Sequence, residues 1–236
     1  MSAYLFPIYS LVHLVVLIWC LRLARLYRAP GALLVAMIAA GLVYDNGIIA
    51  LGSTIGIGPL LETLSWPRFA LHAVATPFMM IAVTRMAVAG GIRWAAGRAW
   101  QITVWVLVIG GIIEGSFAHL IGLELEPVCF NGIVRYTSNV SPAMFCYEGQ
   151  LATTGGGPPI PSIVGNFVTL IFGFALWRRH GWLWLMSGSL IMFVAASVPT
   201  SGFGLAPGNA GEVVLLLSYA ATVNRFGKAH GQSATA

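Results

Sequence analysis

Acid–base side chains are scarce in this chain: one aspartate, six glutamates and five histidines among 236 residues. Those that fall inside apolar stretches are therefore the candidates for chemistry. Asp45 stands about fourteen residues into one such stretch, ~21 Å along it at the ~1.5 Å rise of a helix. Glu114 reaches nearly the same depth in another. Arg68 and His72 are one helical turn apart and share a face. His13, His119 and Glu212 fall in the same half of their own stretches. A charge so deep in lipid costs at least ~2.5–3.5 kcal/mol, so each should turn inward and find a partner. One shared pocket is expected, with Arg68 as counter-ion to Asp45 or Glu114. A carboxyl there is expected to keep its proton near neutral pH and to act as a general acid. Asp45 or Glu114 takes that role, His72 is the base or orienter, and Arg68 fixes a polar head or the second carboxylate. Tyr44 and Asn46 flank Asp45, and with His119, Glu212, Asn166 and Trp105 they are the substrate-binding candidates. Pairs of this kind also serve simply to fasten helices, and a single His13 or His119 more often does that.

The elements that must carry these groups follow from composition. Hydrophobic residues make up 58% of the chain and charged residues 8%, with mean hydropathy +0.86. Such a chain has lipid as its main solvent. Seven apolar stretches, 3–21, 31–52, 67–88, 101–122, 160–177, 181–203 and 210–225, are each long enough to cross a hydrocarbon core of about 30 Å. A backbone in lipid must satisfy its own hydrogen bonds, so these are helices. The fold class expected is an all-α integral-membrane bundle of seven transmembrane helices. Residues 1–228 form one domain, with a lid at 123–159 and a short cytoplasmic tail at 229–236. Pro77 and Pro199 should break the third and sixth spans.

Arginine and lysine set the orientation. Ten of the twelve basic residues gather where odd-numbered spans end: Arg22, Arg25 and Arg28 after the first; Arg85, Arg93 and Arg98 around the third-to-fourth connection; Arg178 and Arg179 between the fifth and sixth; Arg225 and Lys228 at the end of the seventh. That side should be cytoplasmic, which puts the N-terminus outside and the C-terminus inside. Only Arg68 and Arg135 lie elsewhere. The first span has no basic residues before it, so it is expected to be a retained helix and not a cleaved signal. Cys129 and Cys146 share the outer loop, on the oxidising face, and are expected to form a disulfide. The loop is expected to be irregular, and Thr153 to Pro161, with three glycines and paired prolines, non-helical.

Several functions are excluded or lowered. The only lysine, Lys228, lies outside every span, so no retinal Schiff base is available. The basic residues are scattered over short loops, which does not suit nucleic acid. No nucleotide-binding motif appears, no cofactor is implied, and no His-x-x-His or His-x-x-x-His pair points to a metal. In size and helix count the chain resembles the small integral-membrane terpene cyclases. That resemblance covers architecture alone and matches no motif. The expectation is a multi-pass enzyme of the cell membrane. It would act on an apolar small molecule drawn from membrane lipid, by isomerisation, cyclisation or hydrolysis. The alternatives are a proton-coupled transporter, or a receptor or assembly subunit that binds through the outer loop.

Overall fold

A computed structural model describes residues 4–155 and 157–229. Of the expected tail, only Ala229 falls within the described residues. Nine α-helices are described: α1 Leu5–Tyr27, α2 Ala32–Ile55, α3 Pro59–Val74, α4 Met79–Ala89, α5 Arg98–His119, α6 Ile160–His180, α7 Trp184–Ala196, α8 Thr200–Phe203 and α9 Ala206–Thr222. A π-helical turn, Val223–Gly227, prolongs α9.

Five segments are long and apolar enough to cross a membrane: α1, α2, the Pro59–Ala89 segment of α3 and α4, α5, and α6. The third begins at Pro59, eight residues before the expected start. Glu62, Trp66, Pro67 and Arg68 lower the hydropathy there, but Pro59 occupies the first turn, where a missing N–H costs nothing. Pro77 does interrupt this segment, in a 3₁₀ turn over Thr76–Phe78. In the sixth expected span, 181–203, the helix α7 is short, ending at Ala196 before Ser197 and Pro199.

Packing divides the bundle into two halves. α1 lies along α2, α7 lies along α6 and α9, and α9 closes back onto α1. One half is filled by an apolar core that includes Val16, Val35, Met80, Val108, Phe172, Leu185 and Tyr219. Its buried polar groups are neutral and bonded: Thr169 to Tyr219, Trp182 Nε1 to Thr222 Oγ1 at 3.0 Å, and Trp100 Nε1 to Thr84 Oγ1 at 3.1 Å. The buried charged side chains, Asp45 and Arg68, lie in the other half.

That second half is roofed by β-structure where an irregular loop was expected. β1 (Glu126–Phe130) pairs antiparallel with β2 (Ile133–Thr137). Asn131 and Gly132 make the two-residue turn, with φ of 50° and 79°. Positive φ at both positions gives the turn whose twist suits a hairpin, and Asn-Gly is the pair that adopts it most readily. β3 (Asn139–Val140) pairs with β4 (Thr153–Thr154). Cys129 and Cys146 are disulfide-bonded. Gln150 supports the same link: its Nε2 donates to Pro127 O at 2.6 Å and its Oε1 accepts from Cys146 N at 2.8 Å. The glycine-rich stretch is non-helical as described up to Pro159, and α6 starts at Ile160 with Pro161 in its first turn.

The hairpin docks on α2 by close backbone approach. Alternation sends Tyr136 and Val134 toward Ile48 and Leu61. Ser53 Oγ donates to Gly132 O at 2.5 Å and accepts from Val134 N at 3.1 Å. Gly52 lies beneath Val134, whose carbonyl oxygen occupies the space a Cβ would need. A Gly52→Ala chain is therefore expected to lift the hairpin, at a cost of about 1–3 kcal/mol for overpacking. Hydrogen exchange over 126–137 should rise while the helices stay protected. Unchanged exchange there would contradict the docking.

Candidate functional site: a polar cavity under the hairpin

α2 and α3 meet at Asp45. Its Oδ1 accepts from Arg68 Nε at 2.8 Å and lies 3.8 Å from His72 Nε2. Arg68 and His72 are four residues apart on α3, so both reach the same carboxylate oxygen. Arg68 Nη1 also donates to Tyr136 O at 3.5 Å, which ties the hairpin to both helices. Asp45 and Arg68 are buried, whereas His72 keeps 42% of its side-chain surface accessible.

That accessible ring faces a cavity of about 320 Å³, within the range of small-molecule sites. Asp45, Arg68 and His72 line one side, and Glu212 and Asn209 of α9 also line it. His119 ends α5 at its edge, and Arg135 and Thr137 enter from β2. Phe69, Met192, Ala195 and Leu205 supply apolar wall.

The groups are not equivalent chemically. Asp45 accepts from the Arg68 guanidinium at 2.8 Å, a charge-assisted bond that engages one of its oxygens. His72 has Asp45 behind it and open space in front. Glu212 Oε2 is buried and makes no hydrogen bond. Asn209 is one turn from Glu212, and its Nδ2 donates to Asn46 Oδ1 at 3.0 Å. His13, fully buried on α1, has neither ring nitrogen hydrogen-bonded and interacts electrostatically with Asp45. Burial pushes the Arg135 guanidinium down to about 9; Arg68 acts in the same direction and Asp45 opposes it. Arg135 is thus still a cation at neutral pH.

Of the candidates, Asp45, Arg68, His72, His119 and Glu212 all line this cavity. Glu114 does not line the cavity: its Oε2 is buried without a hydrogen bond, and the adjoining Gly115 packs against Ala73. Tyr44 fastens helices, donating its hydroxyl to Leu64 O at 2.8 Å. Asn46 supports Asn209 from behind, its own Nδ2 bonded to Leu42 O at 2.9 Å. Asn166 joins α6 to α7 through Ser189 O at 3.1 Å. Trp105 is 47% exposed and lines no described cavity. Arg135, Thr137 and Asn209 were not anticipated as site residues. The signal for the first two was the Asn131-Gly132 turn, because the alternation it starts puts residues 133, 135 and 137 on one face. For Asn209 it was the three-residue spacing to Glu212 on one helix. Among the described residues, no three His, Cys, Asp or Glu side chains are grouped as a metal would need.

The chain matches no protein-family model, no curated protein and no solved structure. Its apolar helices and buried polar residues are those of a helical membrane protein, with a largely apolar cavity that several charged side chains enter.

Proposed function

We propose that this is an integral-membrane enzyme that performs acid–base chemistry on a lipid-soluble substrate in the cavity beneath the hairpin. One observation carries the proposal: His72, backed by the Asp45 carboxylate, shares an open cavity with the unbonded carboxyl of Glu212. His72 Nε2 lies 3.8 Å from Asp45, and closing that gap on substrate binding gives the base–orienter pairing used in general-base catalysis. His72 takes a proton from the substrate, and Glu212 delivers one to it. The apolar wall binds the hydrocarbon, and the hairpin keeps bulk water out. Isomerisation or cyclisation of an alkene uses this pair with no other reactant, the proton taken by His72 replacing the one given by Glu212; opening of an epoxide or ester uses it with one bound water, from which His72 takes the proton.

A carrier would use similar acids as a relay, but needs polar stations along the whole path. The apolar half of the bundle has only neutral, internally bonded groups among those described as buried, which favours the enzyme.

The experiment exploits proton transfer itself. The full chain, reconstituted in native lipid extract, is incubated in D₂O and the lipids are read by mass spectrometry. A lipid that gains deuterium or changes mass with the parent chain, and not with His72→Gln, supports the proposal. Lipids identical with and without the chain would overturn it.

The same proposal takes the bundle as seven crossings, with α7 to α8 and α9 to Gly227 as the last two, and with the hairpin outside. The ten basic residues at the opposite end support this orientation. In a Cys20→Ala background, a cysteine at exposed Glu148 should react with an impermeant maleimide from outside, and one at exposed Ala99 only after permeabilisation. Labelling of both from one side would refute the topology.

A further inference from the structure

We propose that the cavity's ligand is an anionic amphiphile whose carboxylate or phosphate head is bound by Arg135, with its hydrocarbon against the apolar wall. The inference deepens the reading above and rests on it only in taking the cavity as the ligand site.

The first ground is an unbalanced charge. Two guanidiniums, Arg68 and Arg135, line the cavity. Asp45 is committed to Arg68 at 2.8 Å. Among the described residues Arg135 has no carboxylate within 4.0 Å, and its one side-chain contact of hydrogen-bond type is Met144 Sδ at 4.0 Å. A half-buried guanidinium that lines a cavity without a counter-charge attracts an oxyanion from the ligand. Guanidinium donors also match a carboxylate or phosphate edge in geometry.

The second ground is how Arg135 is held. It sits on β2 between Val134 and Tyr136, which dock on α2 and α3, and opposite Val128 on β1. The disulfide anchors β1 at Cys129, one residue from Val128. The arginine therefore projects from a rigid strand and not from a free loop, and Thr137, two residues on, lines the same cavity. Glu212 is the remaining carboxyl in the lining and makes no ion pair with Arg135.

The third ground is size. A volume of about 320 Å³ holds roughly ten water-sized groups at ~30 Å³ each. That accommodates a head and the first few carbons beside Phe69, Met192 and Ala195, while a longer chain must extend into lipid.

Binding tests this independently of turnover. Radiolabelled dodecanoate, dodecyl phosphate and dodecanol are titrated onto the full chain in neutral-lipid nanodiscs, with empty nanodiscs subtracted. Inorganic phosphate and acetate are run alongside. At least one anionic amphiphile is expected to bind about 10- to 100-fold tighter than dodecanol, the span of one to two lost charge-assisted bonds. Arg135→Gln should erase that preference, and Arg135→Lys should restore part of it. Equal binding of dodecanol to the parent chain would overturn the inference, as would full anion preference in Arg135→Gln. Inorganic phosphate binding as tightly as dodecyl phosphate would overturn the amphiphile. Should Arg135→Gln fail to fold, the anion-to-alcohol ratio on the parent chain still decides. Anion-selective binding with no deuterium exchange would sink the enzyme and keep this inference. Exchange into neutral lipids alone would do the reverse.

Discussion

A Glu212→Gln chain is expected to fold as the parent does and to lose about 10²- to 10⁴-fold in turnover, the usual contribution of a general acid. The amide keeps the volume of the carboxyl and cannot release a proton. Folding should survive because Glu212 Oε2 has no hydrogen bond to lose, and no ion pair depends on it. The readout is deuterium incorporation per chain, set beside thermal unfolding in the same detergent. Full activity in this variant would remove Glu212 from the mechanism. A fall in unfolding temperature that matched the fall in activity would make it a structural group.

The second large effect is on stability. Arg68→Ala strands Asp45 in the bundle without its partner and removes the link to Tyr136 O. Removing one member of a buried pair costs about 3–5 kcal/mol. The double replacement Asp45→Leu with Arg68→Leu should cost much less than the single one, because neither charge then remains buried alone. It should stay inactive, since His72 has lost its orienter. If the single and double variants unfold alike, the pair contributes no coupling and the neighbouring groups hold the fold.

Composition made the membrane bundle legible. Stretches 31–52, 101–122 and 160–177 fall on α2, α5 and α6 within a few residues, because hydropathy and helix length report the same constraint. Where polar residues dilute the stretch, as at Glu62 and Arg68, the helix outran its apolar signal. The hairpin was missed because the eye for lipid discounts a loop, although Asn131-Gly132 was a local signal of a turn. The site was half legible for a geometric reason. Counting residues gives depth along a helix, and depth placed Asp45, Arg68, His72, His119 and Glu212 together, all of which line the one cavity. Depth says nothing about rotation about the helix axis. Glu114 is adjacent to the buried Gly115 and therefore ~100° from it, away from the cavity. The choice between Asp45 and Glu114 as the partner of Arg68 likewise depended on rotation, and the structure pairs Arg68 with Asp45.

The Asp45–Arg68 pair has a further consequence for how the chain is made. Its members lie only 23 residues apart, on consecutive helices. Synthesis proceeds from the N-terminus, so α2 and α3 leave the ribosome together while α4 to α9 are still unmade. The two charges enter the bilayer as a neutral hairpin of helices, and the translocation machinery never has to stabilise either one alone. Glu212 arrives on the last helix of the bundle. A nascent chain therefore has its buried cation and anion already paired before the helix that bears Glu212 is made.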